Sequence, residues 1–222
     1  MVQAVIFDMY ETLITHYRNP LYFGEQMAKD AGISWNDFKV VWQATDYDRC
    51  IGNATLEEVL ERILKENNCY SEKLLKDIAE KRVETKRDCF KHLHKEIIPM
   101  FSVLKEKNIL IGLISNCFSE EAKVIRESEL FTYFDAVFLS YEQGIRKPDV
   151  EIFQRCMKEL SVKPSECLYV GDGGSDELET ARKLGMKALQ AVWYLKEKST
   201  WSLELKSDFV QLESPLSIIN YL

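Results

Sequence analysis

The stretch Ala4-Val5-Ile6-Phe7-Asp8-Met9-Tyr10-Glu11-Thr12-Leu13 decides the fold. Its first four residues form a continuous apolar run, as expected of a strand buried on both faces of a parallel sheet. The run stops at a carboxylate, so Asp8 is predicted at the carboxyl end of that strand. From Pro20 to about Phe90 the pattern changes to helical spacing. Trp35, Phe38, Val41 and Trp42 share one face, and so do Leu56, Val59, Leu60, Ile63 and Leu64. Ser34, Thr55 and Ser71 are predicted N-caps, with Thr55 and Glu58 in capping-box spacing. After Ile97 strands and helices alternate. Strands are predicted at 109–114, 136–139, 167–170 and 188–192, and helices at 119–128, 149–160 and 176–184. Such alternation argues for a parallel α/β sheet. The simplest architecture is a three-layer Rossmann-like core, residues 1–13 and 97–222, interrupted after its first strand by a helical cap over 14–96. The run Lys81–Asp88, written Lys81-Arg82-Val83-Glu84-Thr85-Lys86-Arg87-Asp88, is expected to be a solvated, internally paired helix face.

Composition excludes several classes. The chain has 222 residues, of which 46% are hydrophobic and 29% charged, a soluble globular balance. At about 150 residues per domain, this length gives roughly one and a half domains. No apolar stretch approaches the roughly 18–20 residues that span a bilayer, and no signal peptide precedes the first strand. With 29 basic and 36 acidic residues the formal charge is −7, which argues against a nucleic-acid partner. The six cysteines lack metal-type spacing, so reduced, mostly buried thiols in a cytoplasmic protein are expected.

Ligands of open α/β sheets bind beyond the carboxyl ends of the strands. Asp8, Ser115-Asn116, Lys147 and the segment Gly171-Asp172-Gly173-Gly174-Ser175-Asp176-Glu177 are all predicted at that edge. Clustered carboxylates with no histidine or cysteine point to Mg²⁺ as their organiser. Lys147 supplies a cation for an anionic group, Ser115 a hydroxyl for an oxyanion, and Asp8 a carboxylate nucleophile.

In order and content these segments resemble the haloacid dehalogenase superfamily. The likeness rests on four separated motifs and covers nearly the whole chain. It implies that Asp8 is the nucleophile, with Thr12 on the motif threonine, Ser115 on the second motif and Lys147 on the third. Asp172 and Asp176 fall on the acidic fourth motif. The implied metal ligands are Asp8, the Tyr10 carbonyl, Asp172 and Asp176. The insertion is similar to the helical cap of one major subgroup. Phosphatases of the superfamily usually carry a second aspartate where this chain has Tyr10, followed by glycine where it has Glu11. A tyrosine there is reminiscent of the 2-haloacid dehalogenases, which use no metal and lack the Gly-Asp pair kept here as Gly171-Asp172. The expected function is therefore Mg²⁺-dependent hydrolysis of a small, anionic phosphorylated metabolite with an altered acid/base, Tyr10 and Glu11 being the two residues that could stand in for the usual aspartate. Dehalogenation of a 2-haloacid and non-catalytic metabolite or partner binding are the alternatives. Asn116, Arg18 and Arg49 are candidate substrate contacts. The sequence leaves oligomeric state open.

Overall fold

The computed structural model describes residues 1–195 and 205–222. Six parallel strands form one sheet in the order β3-β2-β1-β4-β5-β6: β1 (Ala4–Phe7), β2 (Leu110–Ser115), β3 (Ala136–Leu139), β4 (Cys167–Gly171), β5 (Lys187–Ala191) and β6 (Val210–Leu212). The first strand is thus central, with Phe7 beside Leu113 of β2 on one side and Val170 of β4 on the other. Successive side chains of a strand face opposite ways. Val5 and Phe7 accordingly enter one apolar cluster, while Ala4 and Ile6 enter the other. That double burial is why β1 reads as an unbroken apolar run. Strand β6 was not predicted, because its three residues range from exposed to buried with no periodic signal.

The first five of the six described α-helices between β1 and β2 are α1 (Gly24–Ala31), α2 (Trp35–Ala44), α3 (Asp46–Cys50), α4 (Leu56–Glu66) and α5 (Glu72–Asp88). They gather a third apolar cluster around Met27, Phe38, Leu60 and Ile63. The helix starts follow the sequence closely. Ser34, Thr55 and Ser71 each accept a backbone N–H three residues on, and Glu58 closes the capping box by accepting from the Thr55 N–H. Helices α6 (Ile97–Glu106), α7 (Ser119–Glu127), α8 (Ser140–Gln143), α9 (Val150–Glu159) and α10 (Glu177–Lys183) complete the α/β alternation. Five of the six cysteines are buried and all are free thiols. No described helix is long and apolar enough to cross a membrane.

The charged run at the end of α5 departs from expectation. Lys81, Glu84 and Arg87 are on the outside, but Arg82 and Lys86 are buried. Arg82 donates to Glu120 at 3.1 Å, and Lys86 Nζ lies 2.5 Å from Glu121 Oε1, both acceptors being on α7. Side chains four apart share a helix face, so one face of α5 turns its cations inward onto paired carboxylates.

The turn after α3 meets the core closely. Gly52 has φ +81°, and a Cβ there would lie 2.2 Å from the Tyr141 carbonyl oxygen of α8. Gly52→Ala is expected to cost about 2–4 kcal/mol, combining left-handed strain with overpacking against backbone. Chemical denaturation against the parent protein measures it.

Candidate active site

Strand order reverses between β1 and β4, the crevice where open α/β sheets bind ligands. Asp8 leaves β1 there, its N–H donating to the Val170 carbonyl at 2.9 Å. Lys147 reaches in from the loop between α8 and α9 and places Nζ 2.5 Å from both Asp8 Oδ1 and Glu177 Oε2. Tyr169 of β4 donates its hydroxyl to Glu177 at 2.8 Å. A cavity of about 450 Å³ opens over this cluster, lined by Asp8, Tyr10, His16, Asn116, Lys147 and Glu177 among others.

Asp8, Asp172 and Glu177 offer oxygens within 4.8 Å of one another. Of the expected ligands, Asp8 and Asp172 belong to this group and Asp176 does not. Asp176 is exposed, with φ +48°, and the following residue turns into the cluster instead. The Gly173-Gly174 turn delivers Asp172 and then starts α10 so that Glu177, in its first turn, points inward. Glu177 is 1% exposed and also accepts from the Gly173 N–H. Gly171 makes room for it, since a Cβ there would sit 1.9 Å from Glu177 Oε1. Glu177, which the sequence placed at this edge without a role, joins the group in place of its neighbour. The available signal was the Asp176-Glu177 pair at a helix start, where only one of two neighbours can face the sheet.

Three buried carboxylates face one buried ammonium. Burial and the Glu177 carboxylate push Asp8 up to about 7, against the opposing pull of Lys147. Asp172 is likewise pushed well up, by burial first and then by Glu177 and Asp8. Burial works against the Lys147 ammonium, yet Asp8 and Glu177 outweigh it and hold its pKa above the usual lysine range. This excess of negative charge on oxygen-only ligands fits a hard divalent cation.

The remaining predicted residues divide. Ser115 ends β2, fully buried, with its hydroxyl 3.4 Å from the Asn116 carbonyl. Asn116 faces the cavity and also grips the lysine loop: its Oδ1 accepts the Lys147 N–H at 2.8 Å, and its Nδ2 donates to the Lys147 carbonyl at 3.0 Å. Tyr10 lines the cavity, stacked on His16 at 4.5 Å, with its buried hydroxyl unpartnered. Burial, and after it Glu121, pushes the Tyr10 phenol well up. Glu11 holds its own loop, accepting from Thr15 Oγ1 at 2.6 Å and the His16 N–H at 3.0 Å. Arg18 does not join the residues lining either the catalytic cavity or its neighbour. It donates to the His92 carbonyl at 2.9 Å and lies over the Tyr194 ring. Arg49 is buried and lines the neighbouring cavity.

This assembly, with a carboxylate at the end of the central strand, defines a hydrolase-type site of the α/β class. The family model for haloacid dehalogenase-like hydrolase matches residues 2–185, and the chain belongs to that family. It is 26% identical to a phosphoglycolate phosphatase from Aquifex aeolicus over 219 residues, 95% of this chain and 96% of that one. It is 33% identical to a glyceraldehyde 3-phosphate phosphatase from Pyrococcus furiosus over 117 residues, 50% of this chain and only 47% of the relative. Among solved structures, a 2-haloacid dehalogenase from Pseudomonas syringae pv. Tomato DC3000 superposes with TM-score 0.69 at 20% identity, covering 99% of this chain and 97% of that one. A family enzyme from Bacteroides thetaiotaomicron in complex with magnesium and inorganic phosphate gives TM-score 0.65 at 18% identity, covering 91% and 98%. At these identities the structural likeness concerns the fold.

Proposed function

We propose that the protein is a Mg²⁺-dependent phosphatase of a small phosphorylated metabolite, with residues 1–13 and 97–222 as catalytic core and 14–96 as a cap over it. The observation that carries this reading is the buried group of Asp8, Lys147, Asp172 and Glu177 at the sheet's switch point. Phosphatases among the relatives support it. Asp8, Asp172 and Glu177, with the Tyr10 carbonyl, would hold the cation. When bound, the cation supplies charge neutralisation that lets a phosphate dianion approach a carboxylate.

In this reading one Asp8 oxygen attacks phosphorus as the ester oxygen departs, leaving an aspartyl phosphate. Lys147 steadies the equatorial oxygens, and the Ser115 hydroxyl is a further donor to them. Water then attacks the aspartyl phosphate at phosphorus, returning Asp8 and releasing inorganic phosphate. Asn116 positions Lys147 through its loop. Glu11 is committed to holding the first loop, so it is not free to replace the missing aspartate, and the Tyr10 phenol is too weak an acid and base for neutral pH. The departing alcohol therefore gets little help from protonation, and rates are expected to fall steeply as its pKa rises. Tyr10→Asp is expected to raise turnover of alkyl phosphates and flatten that dependence. A leaving-group series on parent and variant checks it.

Tyr10 also favours a second reading, displacement of halide from a 2-haloacid by Asp8, since a halide needs no proton. A panel of phosphate esters and 2-haloacids, with Mg²⁺ or chelator, separates the two. Phosphate release abolished by chelator is expected; halide release indifferent to chelator would replace the phosphatase reading.

A further inference from the structure

Beside the catalytic cavity lies a larger one of about 820 Å³, and His16 and Phe23 line both. Its floor is a buried guanidinium. Arg49 is 1% exposed and sandwiched between the rings of Trp42, at 3.6 Å, and Phe118, at 4.3 Å. Its NH2 donates to the Trp42 carbonyl at 3.0 Å, while Nε and NH1 have no partner. Buried donors are normally satisfied, and an orphaned pair on a charged group is costly. The guanidinium is planar, so its two unpartnered donors point within its own plane.

The surrounding charge tells what would satisfy them. Three buried cations, Arg49, Arg82 and Lys86, meet two buried carboxylates, Glu120 and Glu121. Arg82 and Lys86 are held by those glutamates, which leaves the excess charge on Arg49. Asp46 lies 3.6 Å from Arg49, but its side chain is half exposed and shared with Arg146. Glu25, also at the rim, is exposed. A single planar anion balances one surplus cation and fits in-plane donors, whereas a second phosphate dianion would overshoot.

We propose that this cavity receives a carboxylate carried by the leaving alcohol of the substrate, with Arg49 as its anchor and Trp42, Phe118 and Trp35 as apolar walls for the intervening carbon skeleton. The assignment rests on the phosphatase reading and narrows its substrate class to phosphate monoesters of apolar hydroxy acids. Arg49 thereby becomes a specificity residue, remote from the bond that breaks.

Two compounds of equal shape test it: 4-carboxyphenyl phosphate and its neutral amide, 4-carbamoylphenyl phosphate, assayed with Mg²⁺. The parent protein is expected to favour the carboxylate by at least about tenfold in kcat/KM, the scale of one charge-assisted hydrogen bond. The ratio should collapse towards one in Arg49→Met and be partly kept in Arg49→Lys. A second readout needs no turnover: 4-hydroxybenzoate should quench tryptophan fluorescence saturably in Asp8→Asn, whereas 4-hydroxybenzamide should not. A parent ratio at or below one, with no quenching by the carboxylate, overturns the assignment even if phosphate is released from both esters. Quenching without phosphate release from either ester upholds the carboxylate site and overturns the phosphatase reading instead. Both measurements on the parent side chain at position 49 stand even if Arg49→Met fails to fold.

Discussion

Asp8→Asn is expected to lower phosphate-ester turnover by at least about a thousandfold while leaving the fold intact. The substitution keeps the shape of the side chain and removes its nucleophilic charge. It also removes one of three carboxylates crowded around Lys147, so the native state loses repulsion as well as an ion pair. Burial already pushes Asp8 up to about 7, so the neutral amide costs less here than at an ordinary salt bridge. Single-turnover assays with a chromogenic phosphate ester, alongside thermal melting, measure both halves of the expectation. Unfolding of the variant, or retention of more than a tenth of the activity, would count against Asp8 as nucleophile.

Lys147→Met should be the more destabilising change. It removes the ammonium that faces Asp8 and Glu177, and breaking such a buried arrangement costs about 3–5 kcal/mol. For a chain of this size that corresponds to a Tm lower by roughly 10 °C. Activity should fall by at least about a hundredfold, because the donor to the transferring group goes too. The stability loss has a pH signature. Asp8 and Asp172 have folded-state pKa values raised above their unfolded values, so the folded state binds more protons between the two. Stability contributed by these groups therefore falls as pH rises from about 4 towards 7. Without Lys147 the folded values rise further. The Tm gap between parent and variant should be small near pH 5, widen by pH 8, and narrow again when Mg²⁺ is added. A gap that is constant with pH would mean that the carboxylates do not titrate as a group.

Much of this was legible beforehand, and the exceptions share a cause. Apolar runs announced β1, β2 and β4 because burial on both faces leaves no polar position, and local capping chemistry announced α2, α4 and α5. These are signals carried by neighbours in sequence. Glu177 was missed because its selection over Asp176 depends on how α10 docks against β4, which no local spacing encodes. Arg82 and Lys86 were misread for the same reason: a charged helix face reads as solvated unless its partner carboxylates, some 35–40 residues later on α7, are known. Arg49 was named as a substrate contact, but its burial between Trp42 and Phe118 required the tertiary structure.

The place of β1 at the centre of the sheet also bears on how the chain is made. Its two neighbours begin at Leu110 and Cys167, so the second edge of the first strand waits for three quarters of the chain to leave the ribosome. Meanwhile α1 to α5, whose contacts are nearer in sequence, have their partners at hand. Until β4 arrives, the apolar strand that ends at Asp8 stays unpaired on one side. A synthesis pause or truncation before about residue 171 should therefore leave helices intact and the catalytic edge open to aggregation.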